Sequence, residues 1–409
     1  MVGLAINGAP PVRQAPLPTE PYRFSEHAAV QVKEIVLSGK THHEKGKYIA
    51  SFEQEFADYI GTSYALATNS GTSSLQLALH ALGVGPGDEV LVPAYTFIAV
   101  AQAVLASGAV PVFVDIDDTY NISPSKIQEA ITPRTKVIIV VHMFGNVARI
   151  DAIRDIALHN ELGLVEDCAQ AVGAQYNGRK VGSIGDIGCF SFNVKKPIPT
   201  GQGGMLVTSD VCLAERARQA RNTGIDEKHR EVVSVGYTMF MTEMQAALGL
   251  AALHDLDYLN AVRSDNAQQL LKLLSDFSMV LTFPTRVELA DFSYSRFAFQ
   301  VNENKLGVTR DEFLATVRAE GIPVKTFYPR VLYSYPLFQN RVGFGNTKFP
   351  FELFISQDYN NIVCGQAEEF CQNQVAMEFS PYLTETDIQD IARGLSKVLT
   401  YYLNRASRL

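Results

Sequence analysis

Cysteine is scarce and badly spaced for chemistry: five occur, at Cys168, Cys189, Cys212, Cys364 and Cys371. An odd number without metal-ligand spacing argues against a zinc site or a disulfide framework and predicts reduced thiols. Basic charge is short as well. With a net charge of -8, a pI near 5.6 and no Lys/Arg stripe, the chain lacks the electrostatic footprint of a nucleic-acid binder. No apolar run reaches the length of a membrane span, and Met1 to Gly8 has no basic stretch leading into a long apolar one. A soluble cytoplasmic protein is the expectation. A Gly-x-Gly-x-x-Gly joining strand to helix is also missing, which removes the phosphate loop of a nicotinamide dehydrogenase.

What remains is an ordered enzyme-sized chain. Its 409 residues are 47% hydrophobic and 19% charged, without low-complexity tracts, enough for a large α/β domain and a smaller satellite. Short apolar runs at Tyr64–Thr68, Glu89–Pro93, Pro111–Asp115, Lys136–Val141, Leu162–Glu166, Gly188–Phe192 and Gly204–Thr208 read as strands buried on both faces. They alternate with helical stretches at Gly71–Leu82, Ala99–Ala106 and Ala152–His159, which predicts a parallel or mixed sheet in a three-layer α/β/α sandwich. Beyond residue 250 the pattern changes to a long helix over Ala251–Ser275, then a strand at Phe297–Val301 and helices at Arg310–Glu320 and Thr384–Tyr402. The expected organisation is an N-terminal arm over 1–25, a large domain over 26–255 and a smaller α+β C-terminal domain over 256–409. The Pro-rich arm suits a subunit contact or a packed tail.

Three stretches carry chemistry. Asn69-Ser70-Gly71-Thr72-Ser73-Ser74-Leu75 follows a strand and opens a helix, where small residues let backbone N–H groups close around a phosphate. An ordinary N-cap on Ser70 or Thr72 reads equally well. Leu164 to Ala171 ends an apolar strand in Glu166-Asp167, with Gln170 three residues on. A carboxylate at that edge keeps a heteroaromatic nitrogen protonated, though most such pairs are caps or surface charges. Finally, Gly188 to Phe192 runs into Lys195-Lys196-Pro197 and on to Gly203-Gly204. A lysine in a tight turn past a buried strand is placed to form an imine with a carbonyl cofactor; a lone turn lysine is more often merely solvated. Together with Phe97 and Ser191, the set supplies an anion site, a stacking face, a pyridinium partner and an imine-forming amine.

In that order, and with Ser51-Phe52-Glu53, Gly61, the Gly83 to Val90 stretch and Thr242 to Gly249, the chain resembles the DegT/DnrJ/StrS family of sugar aminotransferases over nearly its whole length. The resemblance implies the aspartate-aminotransferase fold, type I among pyridoxal 5'-phosphate (PLP) enzymes. It also implies a homodimer with active sites at the subunit interface, and amino transfer from glutamate or glutamine to a keto sugar or keto cyclitol, in antibiotic or surface-sugar biosynthesis. Carried over residue by residue, Lys196 becomes the Schiff-base lysine and proton shuttle, Asp167 the partner of the pyridine nitrogen and Gln170 the neighbour of the ring hydroxyl. Phe97 stacks on the ring; Gly71, Thr72, Ser73 and Ser191 fall to the phosphate. No metal is implied.

The chain departs from the family pattern at Thr238 and Phe240, where relatives usually have Asn and Arg, and at Gln202, where an acid is usual. Phe327 stands for the His of a His-Tyr-Pro stretch. Either an unusual acceptor or drift within a working enzyme accounts for these. Ile6 to Arg13 resembles the opening of cyclitol aminotransferases, and Thr41-His42-His43-Glu44-Lys45 falls where relatives bring substrate-facing residues. Three rivals stay open: a PLP dehydratase, which Lys196 argues against; an aromatising aminohydroxybenzoate synthase; and a non-catalytic paralogue.

Overall fold

The computed structural model describes residues 3–42, 46–226, 228–353 and 358–407; His43, Glu44 and Lys45 of the expected substrate-facing stretch lie outside them. The seven apolar runs form one sheet. Its strands are β1 (Tyr64–Thr68), β2 (Glu89–Pro93), β3 (Val110–Val114), β4 (Thr135–Val141), β5 (Gly163–Asp167), β6 (Ile187–Ser191) and β7 (Gly204–Thr208). They are ordered in space β1-β7-β6-β5-β4-β2-β3. Strands β2 to β6 pair in parallel, whereas β7 runs against both β6 and β1.

Side chains alternate across each strand, and both faces are covered. Val90, Val92, Val137, Ile139 and Val165 enter one core cluster; Leu91, Ile138, Val140 and Leu164, their strand neighbours, enter another. That double burial is why the runs are nearly continuous in apolar residues. The covering helices include α1 (Tyr48–Ile60), α2 (Gly71–Ala81), α3 (Ala99–Ala106) and α4 (Ile150–His159).

The reversed strand positions the site. Gly204, opening β7, stands opposite Ser191 at the end of β6 and Thr68 at the end of β1, so residues 192–203 turn over the carboxyl edge of the sheet. No side chain fits at 204, where a Cβ would lie 2.5 Å from the Ser70 carbonyl carbon.

The expected long helix over Ala251–Ser275 is instead two, α5 (Glu243–His254) and α6 (Leu256–Leu273), broken at Asp255. The first begins eight residues earlier than the apolar pattern suggests, because Thr242 and Gln245 form a capping box. Asp255 is engaged outside the helix by the Tyr22 hydroxyl at 2.7 Å. A third core cluster joins β9 (Arg296–Val301) and β10 (Gln374–Glu378), an antiparallel pair flanked by the short β8 (Leu281–Thr282), to α7 (Arg310–Ala319) and α8 (Glu385–Ala406). Leu332, Phe338, Phe351, Tyr359 and Phe370, although later in sequence than β9, pack on the first cluster beside the large sheet.

The opening segment is tied down. Ala5 and Val12 donate to the Glu320 carboxylate at 2.8 and 3.1 Å, and Arg13 pairs with Asp387 and Asp390 on α8 at 2.7 and 2.9 Å.

Part of the recognised Thr242 to Gly249 motif is structural. Glu243, 1% exposed, accepts from the Tyr48 and Ile49 N–H groups at 2.8 and 2.9 Å and so closes the start of α1. Glu243→Ala leaves both donors without an acceptor and is expected to destabilise the protein by about 3 kcal/mol, read as a lower denaturation midpoint. An unchanged midpoint would show that water replaces the carboxylate at no cost.

Candidate active site

A cavity of about 560 Å³ opens at the carboxyl edge of the sheet. Ser70, Gly71 and Thr72 reach it from the β1–α2 turn, Phe97 from the segment before α3, Asp167 from the end of β5, Gln170 from just beyond it, and Ser191 from the end of β6. Lys195, Lys196 and Gln202 reach it from the 192–203 turn. Of the candidate residues only Ser73 stands apart: its hydroxyl donates to Asn69 Oδ1 at 2.6 Å and meets Ser70 Oγ at 2.9 Å, inside the turn.

At the helix end the N-cap reading holds, and it leaves in place the donors that the phosphate reading calls for. Ser70 is the N-cap, accepting from the Ser73 N–H at 3.1 Å. The N–H groups of Gly71 and Thr72, as first-turn donors, have no partner within the helix and sit at its positive end. Gly71 lies against Ser191, and a Cβ there would come within 2.7 Å of the Ser191 Cβ.

Glu166 and Asp167 are neighbours on one strand and therefore face opposite ways. Glu166 turns into the protein: Oε1 accepts from Ile184 and Gly185 N–H, both at 2.7 Å, and Oε2 from His142 Nε2 at 3.0 Å. His142 Nδ1 accepts from Ala148 N–H at 3.1 Å, which fixes the hydrogen on Nε2. His142, Glu166 and Cys168 gather ligand atoms within 4.8 Å of one another, yet both ring nitrogens and both carboxylate oxygens are already in use. Asp167 turns to the cavity, where burial pushes its carboxyl above the ordinary value against the Ala169 N–H and the Lys196 charge. Among the described residues no cation forms an ion pair with it, and a protonated ring nitrogen would supply one.

Lys195 and Lys196 both line the cavity but differ in burial. Lys195 is exposed and Lys196 half-buried. Burial first, and the Arg296 charge second, lower the Lys196 ammonium from 10.5 to about 7, against the opposing pull of Asp167 and Glu378. An amine that is largely neutral near neutral pH can add to a carbonyl. Cofactor capture by the cofactor-free protein is therefore expected to slow about tenfold between pH 8 and pH 6, measured by stopped-flow absorption with PLP in excess. A rate still climbing steeply above pH 9 would place the amine at its ordinary value.

Among the lining residues that escape the sequence reading as site residues, five come from one stretch of the chain, 296–378. Arg296 on β9, Lys325, Thr326, Tyr328 and Glu378 on β10 wall the cavity from the third-cluster side, alongside Phe327. Arg296 had a signal: it opens the apolar strand Arg296-Phe297-Ala298-Phe299, and a charge there needs a partner. Phe97 is 54% exposed, its ring centroid 6.1 Å from that of Tyr328. Gln170 Oε1 accepts from Arg296 Nη1 at 3.1 Å and from Phe144 N–H at 3.3 Å, which fixes its amide.

The departures have structural settings. Thr238 and Phe240 belong to an extended segment that bridges Asn222 and Thr68, and the Arg221 guanidinium stands 5.0 Å from the Phe240 ring centre. Gln202 lines the cavity, and its backbone carbonyl accepts from the Gln245 side chain at 2.8 Å.

A family model, the DegT/DnrJ/EryC1/StrS aminotransferase family, matches residues 24–396. The chain belongs to this family. GDP-perosamine synthase of Caulobacter vibrioides is 41% identical over 287 residues, covering 69% of this chain and 77% of that protein. The L-glutamine:2-deoxy-scyllo-inosose aminotransferase of Streptoalloteichus tenebrarius is 34% identical, covering 98% of each. The solved structure of NtdA from Bacillus subtilis, with bound cofactor PMP, superposes with a TM-score of 0.81 at 28% identity, covering 95% of this chain and 86% of that one. This DegT/DnrJ/EryC1/StrS member has the fold of the PLP-dependent aminotransferases and is one of them. Among the described residues, no helix is long and apolar enough to cross a membrane.

Proposed function

We propose that the chain moves an amino group from glutamate or glutamine to a keto sugar or keto cyclitol, with Lys196 and Asp167 as the catalytic pair. One observation carries the assignment of roles. A single cavity brings together a helix N-terminus, a buried carboxylate that forms no ion pair among the described residues, and a lysine whose ammonium is lowered by burial to about 7. Those are the three fixtures that PLP needs, for its phosphate, its ring nitrogen and its aldehyde. When bound, PLP supplies the electron sink that makes a proton on an amine-bearing carbon removable.

The chain's own residues do the rest. The Gly71 and Thr72 N–H groups and the Ser191 hydroxyl hold the phosphate, Asp167 keeps the ring nitrogen protonated, and Phe97 with Gln170 sets the ring plane. Lys196 binds the cofactor at rest; once displaced by the donor amine, its Nζ takes the proton from the donor's α-carbon and returns it. With a ketone acceptor the same amine works in the opposite direction. The active unit is proposed to be a homodimer in the cytoplasm. A relative acting on a cyclitol spans 98% of this chain, which favours a cyclitol acceptor; the segment Ile6 to Arg13 is occupied in packing.

Steady-state kinetics test the reading with L-glutamine or L-glutamate against a keto cyclitol and a nucleotide-linked keto sugar. Parallel double-reciprocal lines and an aminated product are expected. Intersecting lines, or no amination of either acceptor class, would count against it.

A further inference from the structure

We propose that Arg296 is the specificity-determining residue for the amino donor, holding its α-carboxylate. The inference rests on the aminotransferase reading above and assigns a residue to one half of the reaction. Arg296 opens β9 with its side chain only 6% exposed and lines the same cavity as Lys196. Its guanidinium is held from two sides: Nη1 donates to Gln170 Oε1 at 3.1 Å, and the group lies 4.1 Å over the Phe327 ring.

The charge around it does not balance. Glu378 is the carboxylate beside it, with Oε2 3.5 Å from Arg296 Nε, and the other oxygen, Oε1, is taken by Lys325 at 2.9 Å. Two cations thus share one anion; Arg296 Nε is enclosed beside Glu378 without a hydrogen bond, and Nη2, which is not enclosed, has none either among the described residues. A buried guanidinium with an unmet donor is costly unless something else completes it. The cofactor phosphate does not, because its seat is at the other wall of the cavity, at the start of α2.

A substrate anion is left. Glutamate and glutamine carry a carboxylate on the very carbon whose amine reacts, whereas the ring of a keto cyclitol or keto sugar carries none beside its ketone. A planar guanidinium suits a carboxylate, which it can grip through two donors. Phe327 serves the same end: its ring fixes the guanidinium plane without competing for hydrogen bonds, and Lys325 Nζ is 4.6 Å from the same ring. A histidine at 327 would set a third ionisable nitrogen against two cations.

The test uses the PLP-loaded protein, wild type, Arg296→Gln and Arg296→Lys, and two probes: L-glutamine and L-glutaminol, in which a hydroxymethyl group replaces the carboxylate. Single-turnover absorption gives each donor's second-order rate. The wild type is expected to prefer L-glutamine by roughly 10- to 100-fold, Arg296→Gln to bring that ratio near one by slowing L-glutamine alone, and Arg296→Lys to recover part of it. Calorimetric binding of glutarate, which has carboxylates but no amine, should weaken by a similar factor in Arg296→Gln. Equal slowing of both donors with unchanged glutarate binding would reduce Arg296 to a positioning role on Lys196 and overturn the inference, as would a wild type indifferent to the carboxylate, with amino transfer itself intact. If neither probe nor L-glutamate changes the wild-type spectrum, the aminotransferase reading falls and this inference with it.

Discussion

Lys196→Ala is expected to lower turnover by at least about 10⁴-fold, and the purified protein should lose the visible band of lysine-bound PLP. Two functions disappear at once, covalent capture of the cofactor and proton movement at the donor carbon, so no other group in the cavity compensates. Lys195 is the control because it precedes Lys196 on the same turn and lines the same cavity. Lys195→Ala should keep the band. After borohydride reduction and digestion, the label should map to Lys196 alone; a label on Lys195 would reverse the assignment.

The second large effect is a separation of activity from stability at Asp167. Asp167→Asn keeps the oxygen that accepts from Ala169 N–H at 2.9 Å but cannot hold a ring nitrogen protonated. Turnover is expected to fall about 10²- to 10³-fold. Stability should move the other way. Burial raises the folded-state pKa of Asp167 above its ordinary 3.8, so the folded protein binds the extra proton and loses stability as pH rises through that window. The asparagine has no charge to bury. The cofactor-free variant should therefore melt no lower than wild type at pH 7 while being nearly inactive. A drop in both would make Asp167 part of the scaffold.

Much of this was legible in sequence because the large domain obeys local rules. Strands covered on both faces are apolar throughout, so all seven were found to within a residue at most of their limits, and the proposed catalytic pair lies at the end of one such strand and in the turn after another. That Asp167 rather than Glu166 faces the cavity, and that Lys196 is the more buried of two lysines lining it, is a matter of strand alternation and turn geometry that adjacent letters do not display. The break at Asp255 was missed because apolar periodicity continues across it; the Thr242 cap carried the true start. Arg296, Lys325 and Glu378 were missed for a different reason. They come from strands and turns a hundred or more residues after Lys196, and only the tertiary fold brings them to its cavity.

The measurement that bears most directly on the central claim is the absorption spectrum of the PLP-loaded protein before and after addition of L-glutamine or L-glutamate without acceptor. The account predicts that the band of lysine-bound PLP gives way to that of pyridoxamine phosphate, and that a keto acceptor restores it. A protein that binds PLP at Lys196 but whose band neither donor moves would contradict it.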